Sequence, residues 1–313
     1  MCVLRSALAL LLLARASGAA TGFEHRAPDL FLSVPDTSSV VFVDPVNGND
    51  GTCAVQPVGP PNTASCRSVR GALALALPPN VTIYLMNTAV HQVCDVMVNA
   101  SYVTLAAYCS GSIGSDCTSI IDCIGCDSCL NALPASDAFS LRSLQIIGSK
   151  RSAIMHHGSL TLVGVTLRQH TGSVLSGNFT NNNGLVLVNT TVADNHLPDD
   201  ISTPLISYTS GPVSMTSTVI ANNSVGVLSQ LLYTAGIATV TLQDCLIFNN
   251  SAHEFSISSL VDIVNSRSII FTRVRIVENH GSSVLSISRK DHGGSPSDAR
   301  FDSCTVANNT GIH

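Results

Sequence analysis

Four segments of this chain share one shape: VSMTSTVIANNS (213–224), VTLQDCLIFNNS (240–251), IIFTRVRIVENH (269–280) and ARFDSCTVANNT (299–310). Each places apolar residues at fixed offsets and then an asparagine. Aligned on that last polar residue, the series extends backwards. Leu185, Leu187, Thr190 and Val192 lead to Asn195; Leu160, Leu162, Val165 and Leu167 lead to His170; Phe139, Leu141, Leu144 and Ile146 lead to Ser149. Successive anchors stand 21, 25, 28, 27, 29 and 30 residues apart. Self-similarity at a period of roughly 20–30 residues with constant internal offsets marks a solenoid, in which each repeat is one structural unit stacked on the next.

The offsets select the kind of solenoid. Apolar residues two apart follow the period of a strand, and two such pairs separated by two residues describe two short strands meeting at a bend. The inward positions are mostly β-branched, aromatic or Leu, which suits strands. A third apolar run follows each asparagine: Val174-Leu175, Val225 to Leu228, Phe255 to Ile257, Val284 to Ile287. Each turn is therefore expected to carry three strands. No 3.6-period segment separates the copies, so a leucine-rich repeat with a helix in every turn does not fit. The expected fold class is all-β, a parallel β-helix. The asparagines Asn195, Asn223, Asn250, Asn279 and Asn309 fall at one corner of every coil. There a buried amide can donate and accept along the stack, a structural ladder that needs no catalytic role.

These residues resemble the right-handed parallel β-helix proteins of the pectin-lyase-like superfamily. Two further stretches carry the likeness: Val43-Asp44-Pro45 with Asn47-Gly48 and Asp50, and Ser119-Ile120-Ile121-Asp122-Cys123 followed by Phe139-Ser140-Leu141 and Leu144 to Gly148. The likeness spans about residues 40–313. In texture it is nearest to adhesin-like members such as polymorphic outer membrane proteins, through Ile220–Asn223 and Ile276–Asn279, although their Gly-Gly-Ala motif is absent. It implies a fold more than an activity.

The domain reading follows. Met1 to Arg5 gives a basic start, Leu8 to Leu13 an apolar core, and Ser17-Gly18-Ala19-Ala20 small residues for cleavage. Residues 1–20 are thus expected to be a secretory leader. Residues 21–65 lead into the fold, and 66–313 form the β-helix, regular from about 139. Val69 to Ala76 is expected to form a short helical cap, stopped by Pro78-Pro79. The last copy ends at Asn309 with no cap after it, so the natural chain is expected to continue beyond His313.

Charged residues are 11% of the chain, well under the roughly 25% of soluble domains. With the leader removed, thirteen basic residues face twenty acidic ones, and Lys150 and Lys290 are the only lysines. Nucleic acid is excluded as a partner, since it needs clustered cations. No interior run approaches the ~20 apolar residues of a membrane span. Secretion is supported by seven sequons, at Asn80, Asn99, Asn178, Asn189, Asn222, Asn249 and Asn308, which are candidate glycosylation sites.

Ten cysteines remain after Cys2 is lost with the leader. Eight (Cys53, Cys66, Cys94, Cys109, Cys117, Cys123, Cys126 and Cys129) lie in the N-terminal half. In an oxidising compartment they suit up to four disulfides, Cys53 with Cys66 being the most local pairing. The spacing Cys123-x-x-Cys126-x-x-Cys129 would also suit zinc, but no matching histidines accompany it. Cys245 and Cys304 fall in one column two coils apart, about 9.6 Å and beyond bonding reach, so both are expected to be buried free thiols.

The chemistry is sparse. Enzymes of the resembled superfamily act mostly on acidic polysaccharides, with carboxylates in neighbouring coils as an acid/base pair or calcium site. Here Asp194 and Glu278 are three coils apart, and Asp244 beside Arg273 reads as a cross-strand ion pair. His156-His157-Gly158 and Asp291-His292-Gly293-Gly294 are similar to the histidine-glycine motif of polygalacturonases, without that family's paired aspartates. Asp199-Asp200 is a minimal calcium candidate. Tryptophan is absent and aromatics total 4%, with Tyr208 and Tyr233 the tyrosines of the regular coils. The reading is a secreted or cell-surface β-helix for extracellular recognition or adhesion, binding a glycan or protein ligand. No catalytic residue, metal or cofactor is assigned. The alternative is a polysaccharide lyase or glycoside hydrolase acting on an acidic polysaccharide.

Overall fold

The computed structural model describes residues 39–313 except 58–60, 62–63, 88, 109–116, 135, 179–183, 237–238, 254–258, 289–297 and 312–313. The leader at 1–20, Cys109 and the Asp291–Gly294 string lie outside the described residues, as does the side chain of Asn178.

The chain is a parallel β-helix. Three sheets run its length, of 10, 9 and 8 strands among the described residues, and all pairings between their strands are parallel. One coil shows the plan. Ser159–Val163 lies in the first sheet, Thr166–Arg168 in the second and Ser173–Asn178 in the third, and Leu185–Val188 then returns to the first sheet, one rung on. Registers are unbroken, so like positions stack. Leu160, Leu185, Val213, Val240 and Ile269 form one inward column, and Leu162, Leu187, Met215, Leu242 and Phe271 another. All ten are buried in one continuous core. Each such side chain contributes roughly 1.5–3 kcal/mol by leaving water.

The first sheet begins at Val40–Val43, which pairs with Thr82–Met86. That is upstream of the boundary at 66 expected from the sequence, because a single VVFV run carries no repeat by which to see it. The helix is Val69–Leu73, shorter than the expected Val69 to Ala76, and it packs against Val40–Val43 and Val96–Val98. Its N-cap Ser68 accepts from the Gly71 amide. Asp50 accepts from the amides of Arg67 and Ser68 and from the Ser68 hydroxyl. Asp44 closes a turn by accepting from the amides of Val46 and Asn47. The aspartates of the Val43–Asp50 motif thus hold the first rung to its cap. Burial pushes both carboxyls up, but these hydrogen bonds outweigh it and hold each below its ordinary range.

The third strand follows the ladder residue as expected at Ser173–Asn178, which holds Val174-Leu175, and at Ser283–Ser288, which holds Val284 to Ile287. The expected run Phe255 to Ile257 lies outside the described residues. In the coils between, the third-sheet strands come later, at Ile206–Thr209, Leu232–Ala235 and Ser259–Val264. Val225 instead belongs to a two-residue ladder at the corner, pairing with Ala252, and Leu228 is exposed. Insertions between corner and third strand delay the strand by several residues and hide its period.

The corners are made by left-handed residues. Between the first and second sheets these are Ser143, Gly164, Asn189, Ser217, Asp244, Arg273 and Ser303. Between the second and third they are Gly148, Gln169, Asp194, Asn222, Asn249, Glu278 and Asn308. Asn and Asp tolerate positive φ best among side-chain-bearing residues. Gln169 and Glu278 do not share that tolerance, yet hold φ 60° and 56° between two paired strands.

Candidate functional site

The residue after each second-corner turn points inward, and there the asparagines form a chain of hydrogen bonds. Asn195 Nδ2 donates to Asn223 Oδ1 (2.9 Å), Asn223 to Asn250 (2.9 Å), Asn250 to Asn279 (2.9 Å) and Asn279 to Asn309 (3.0 Å). Each Nδ2 also reaches back one rung, as Asn223 does to the Val192 carbonyl (3.0 Å) and Asn250 to that of Ile220 (2.9 Å). His170 occupies the same column; its backbone amide donates to Asn195 Oδ1 (3.0 Å), and its ring accepts from the rung before and donates back to it. Its Nδ1 accepts from the Ser149 amide (3.0 Å), so the proton sits on Nε2, which donates to the Ile146 carbonyl (3.1 Å). Burial pushes this imidazole down to about 4. His170 and the asparagines from Asn195 to Asn279 are satisfied and shut from solvent, whereas Asn309 is half-buried.

His156 is equally enclosed. It faces the core, its Nδ1 lies 3.0 Å from the Gly158 carbonyl, and burial pushes it down to about 4. Tyr208 lies two rungs on, with Gly177 between them and ring centroids 5.9 Å apart. Tyr208 is fully buried too, so neither His156 nor Tyr208 can meet a ligand.

The bend between the first and second sheets has its own inward column: Val165, Thr190, Thr218, Cys245, Val274 and Cys304. Thr218 Oγ1 donates to the Leu187 carbonyl and Cys245 Sγ to that of Met215 (both 3.4 Å). Cys245 is a buried free thiol; Cys304, expected buried, is only half-buried, because it stands in the last described rung.

Disulfides join Cys53 to Cys66, Cys94 to Cys126 and Cys123 to Cys129. Cys117 is also disulfide-bonded. The Cys123–Cys129 run therefore offers no thiolate set for zinc. Asp50 approaches Cys53 and Cys66 closely enough to suggest a metal group, but both sulfurs are bonded to each other and Asp50 is engaged by Arg67 and Ser68. Asp199 faces His253 at 3.9 Å. Asp194 and Glu278 keep their separate rungs at the second corner. Asp244 is held by Arg273 through both carboxylate oxygens, at 2.5 and 2.7 Å.

What remains is the outer face of the first sheet. One outward column there runs Phe42, Tyr84, Ala106, Arg142. Phe42 and Tyr84 stack with centroids 5.6 Å apart, and Tyr108 meets both edge-on, at 5.2 and 5.7 Å. Phe42 is buried beneath the pair, whereas Tyr84, Tyr108 and Arg142 are half-exposed. Burial pushes the Tyr84 phenol up, and the Arg142 charge pulls it part of the way back. The neighbouring outward column carries hydroxyls at Thr104, Ser140 and Thr161. The face thus joins an aromatic platform, a cation and a row of hydroxyls along several rungs. The sequence reading passed over it by seeking tyrosines in the regular coils. The signal was present in Val81-x-Ile83-x-Leu85, whose period of two turns Thr82 and Tyr84 outward.

No family model matches the chain, and no curated protein matches it. Among solved structures it is similar to a GH136 lacto-N-biosidase from Eubacterium ramulus. The selenomethionine derivative aligns at TM-score 0.37 and 9% identity over 86% of this chain and 67% of that one. The native protein aligns at TM-score 0.33 and 11% identity with the same coverage. At such values the likeness carries no inference about activity; the parallel β-helix stands on the strand pairing itself.

Proposed function

We propose that the protein is a secreted or cell-surface β-helix that binds an extracellular saccharide chain on the outer face of its first sheet. The observation that carries this is the Tyr84–Tyr108 pair, seated on Phe42 with Arg142 two rungs away. Aromatic faces pack against the apolar faces of pyranose rings, and Phe42 fixes the rings in place before a ligand arrives. Arg142 suits a carboxylate on the sugar, since guanidinium pairs with carboxylates in a planar fork. A parallel stack offers this face as a flat track with a step of about 4.8 Å per rung.

Affinity electrophoresis in gels containing polygalacturonate, with starch as the neutral control, tests the reading. Retardation in polygalacturonate alone is expected, lost in Tyr84→Ala and weakened in Arg142→Ala. Equal mobility in both gels, with or without the substitutions, would refute it.

A second reading, hydrolysis of such a polysaccharide on the same face, has one observation in its favour. Asp302 lies on the outer face two rungs from Gln243, beside Asp244, and the charge of Asp302 reaches Arg273 between them. Two rungs is about 9.6 Å, near the upper separation of inverting carboxylate pairs. Against it, both carboxylate oxygens of Asp244 are already engaged by Arg273. Release of reducing ends without formation of an ultraviolet-absorbing unsaturated uronate, by the wild type and not by Asp302→Asn, would establish hydrolysis.

A further inference from the structure

Three of the sequon asparagines stand in one column. Asn222, Asn249 and Asn308 are each the left-handed residue of the second corner, at φ 55°, 50° and 55°, and each is exposed. Asn222 and Asn249 are on adjacent rungs, and Glu278 separates Asn249 from Asn308 by one rung on each side. The carboxamides of Asn222 and Asn249 touch: Asn249 Nδ2 donates to Asn222 Oδ1 at 2.8 Å. The two Nδ2 atoms, each the atom an N-glycan would be attached to, therefore lie within about 5 Å of each other by amide geometry.

We propose that the secreted protein carries a single N-linked oligosaccharide on this pair, at Asn222 or at Asn249 but not at both, and a separate one at Asn308. The proposal rests on the secreted reading above. A sugar on either Nδ2 leaves that nitrogen one hydrogen, so the bond between the two amides survives one modification. A second sugar would have to leave an atom within about 5 Å of the first, too little for two substituted pyranoses and their N-acetyl groups side by side. In sequence the two sites are far apart, so nothing hinders the modification of both before the coils close. The conflict arises only when they stack, and chains bearing both glycans fail to close this corner and are retained in the cell. Asn308 has the sugar-free rung of Glu278 beside it and escapes the conflict. None of the sequon asparagines lies in a strand of the first sheet. Glycans at Asn222, Asn249 and Asn308 therefore stand at the second corner, away from the strands of the proposed binding face.

The test is expression of the full chain in a eukaryotic secretory host, enzymatic removal of N-glycans in heavy-oxygen water, and peptide mass spectrometry. Trypsin leaves Asn222 and Asn249 on one peptide, Gln169–Arg267, together with Asn178 and Asn189, so fragment ions that localise the label within that peptide read joint occupancy. Secreted protein is expected to show the label at one of the two and never at both, with Asn308 labelled independently on Phe301–His313. Peptide labelled at both Asn222 and Asn249 is expected only in the cell lysate. In Asn222→Asp, which keeps a residue tolerant of positive φ, labelling of secreted Asn249 is expected to rise towards completeness. Secreted protein labelled at both sites, or Asn249 labelling indifferent to Asn222→Asp, overturns the proposal. Secreted protein with no label at this pair overturns it and leaves the secreted reading standing. Protein held in the cell with no sequon labelled overturns both.

Discussion

The first rungs and the later rungs of this solenoid are held in different ways. From Val40 to Ala132 the coils are irregular, and disulfides pin them: Cys53–Cys66, Cys94–Cys126 and Cys123–Cys129 among the described residues, with Cys117 bonded as well. From Ser149 onward the coils repeat, and the two remaining cysteines are free thiols. There the second corner is held by the ladder from Ser149 through His170 to Asn309. A hydrogen-bond ladder needs the same donor and acceptor at the same height in every rung. Where the register is uneven, a covalent cross-link does the work of a repeated polar contact. The irregular region is also the one with the aromatic face, so the part freed from the repeat is the part that can vary its surface.

The largest effect that would test this contrast lies in the ladder. Asn250→Ala removes the acceptor for the Asn223 amide and Nδ2 and the donor to the Ile220 carbonyl, all buried. At about 1–3 kcal/mol for each unsatisfied buried group, the loss should be about 4 kcal/mol or more. Urea unfolding measures it. If the ladder were incidental, the cost would be that of an ordinary exposed asparagine, well under about 1 kcal/mol.

The covalent pins come next and should differ among themselves. Replacing Cys94 and Cys126 by serine opens a sequence separation of 32, whereas Cys123 and Cys129 are separated by 6. Chain-entropy reasoning gives about 4 and about 2 kcal/mol. Equal losses would mean that native packing around the sulfurs, rather than loop closure, sets their value.

Acid should attack the ladder at a defined place. His170 accepts a hydrogen bond at Nδ1, so protonation there puts two donors face to face. Its folded value of about 4, lowered by burial, lies below the 6.5 of the free side chain. Below 6.5 the unfolded chain binds the proton first. Stability is therefore full above about pH 6.5 and falls as pH drops towards 4. The loss approaches about 3 kcal/mol, and buried His156, with the same lowered value, adds a like amount. His170→Asn restores the standard ladder residue and should flatten about half of this slope while leaving neutral stability unchanged. An unaltered slope would place the acid sensitivity elsewhere.

Much of this was legible in the chain. Fixed offsets ending in Asn reveal strands, bend and ladder, because a stacked coil must repeat its inward residues to keep one core. His170 could be aligned to the ladder, but nothing in the alignment says that a ring would copy an amide's bonds to the rung before. The third sheet was misplaced where insertions intervene, since a strand such as Leu232–Ala235 has a period of two but no fixed distance from the asparagine. Tyr84, Tyr108 and Arg142 come from three separate rungs, and only the pairing of Thr82–Met86 with Val103–Tyr108 and of that strand with Ala138–Arg142 brings them together.

The smallest effect sharpens the view of what the regular coils require. Cys245 sits in a column where Thr190 and Thr218 each donate to the carbonyl of the rung before, at 3.3 and 3.4 Å. Its thiol makes the same contact to Met215. If the column selects a donor, Cys245→Thr should change stability by less than about 1 kcal/mol, while Cys245→Val, of similar volume, should lose roughly 1 kcal/mol with the additional hydrogen bond to the Met215 carbonyl. If the column selects only volume, Val should match or exceed Thr, and Val165 and Val274 in the same column make that a fair contest. Labelling gives an independent view. Burial pushes the Cys245 thiol up to about 11, so at pH 8 native protein should resist iodoacetamide at Cys245 and react at half-buried Cys304. Prompt alkylation of Cys245 would show that this part of the stack opens without global unfolding, and that the ladder side of the molecule is the looser of the two.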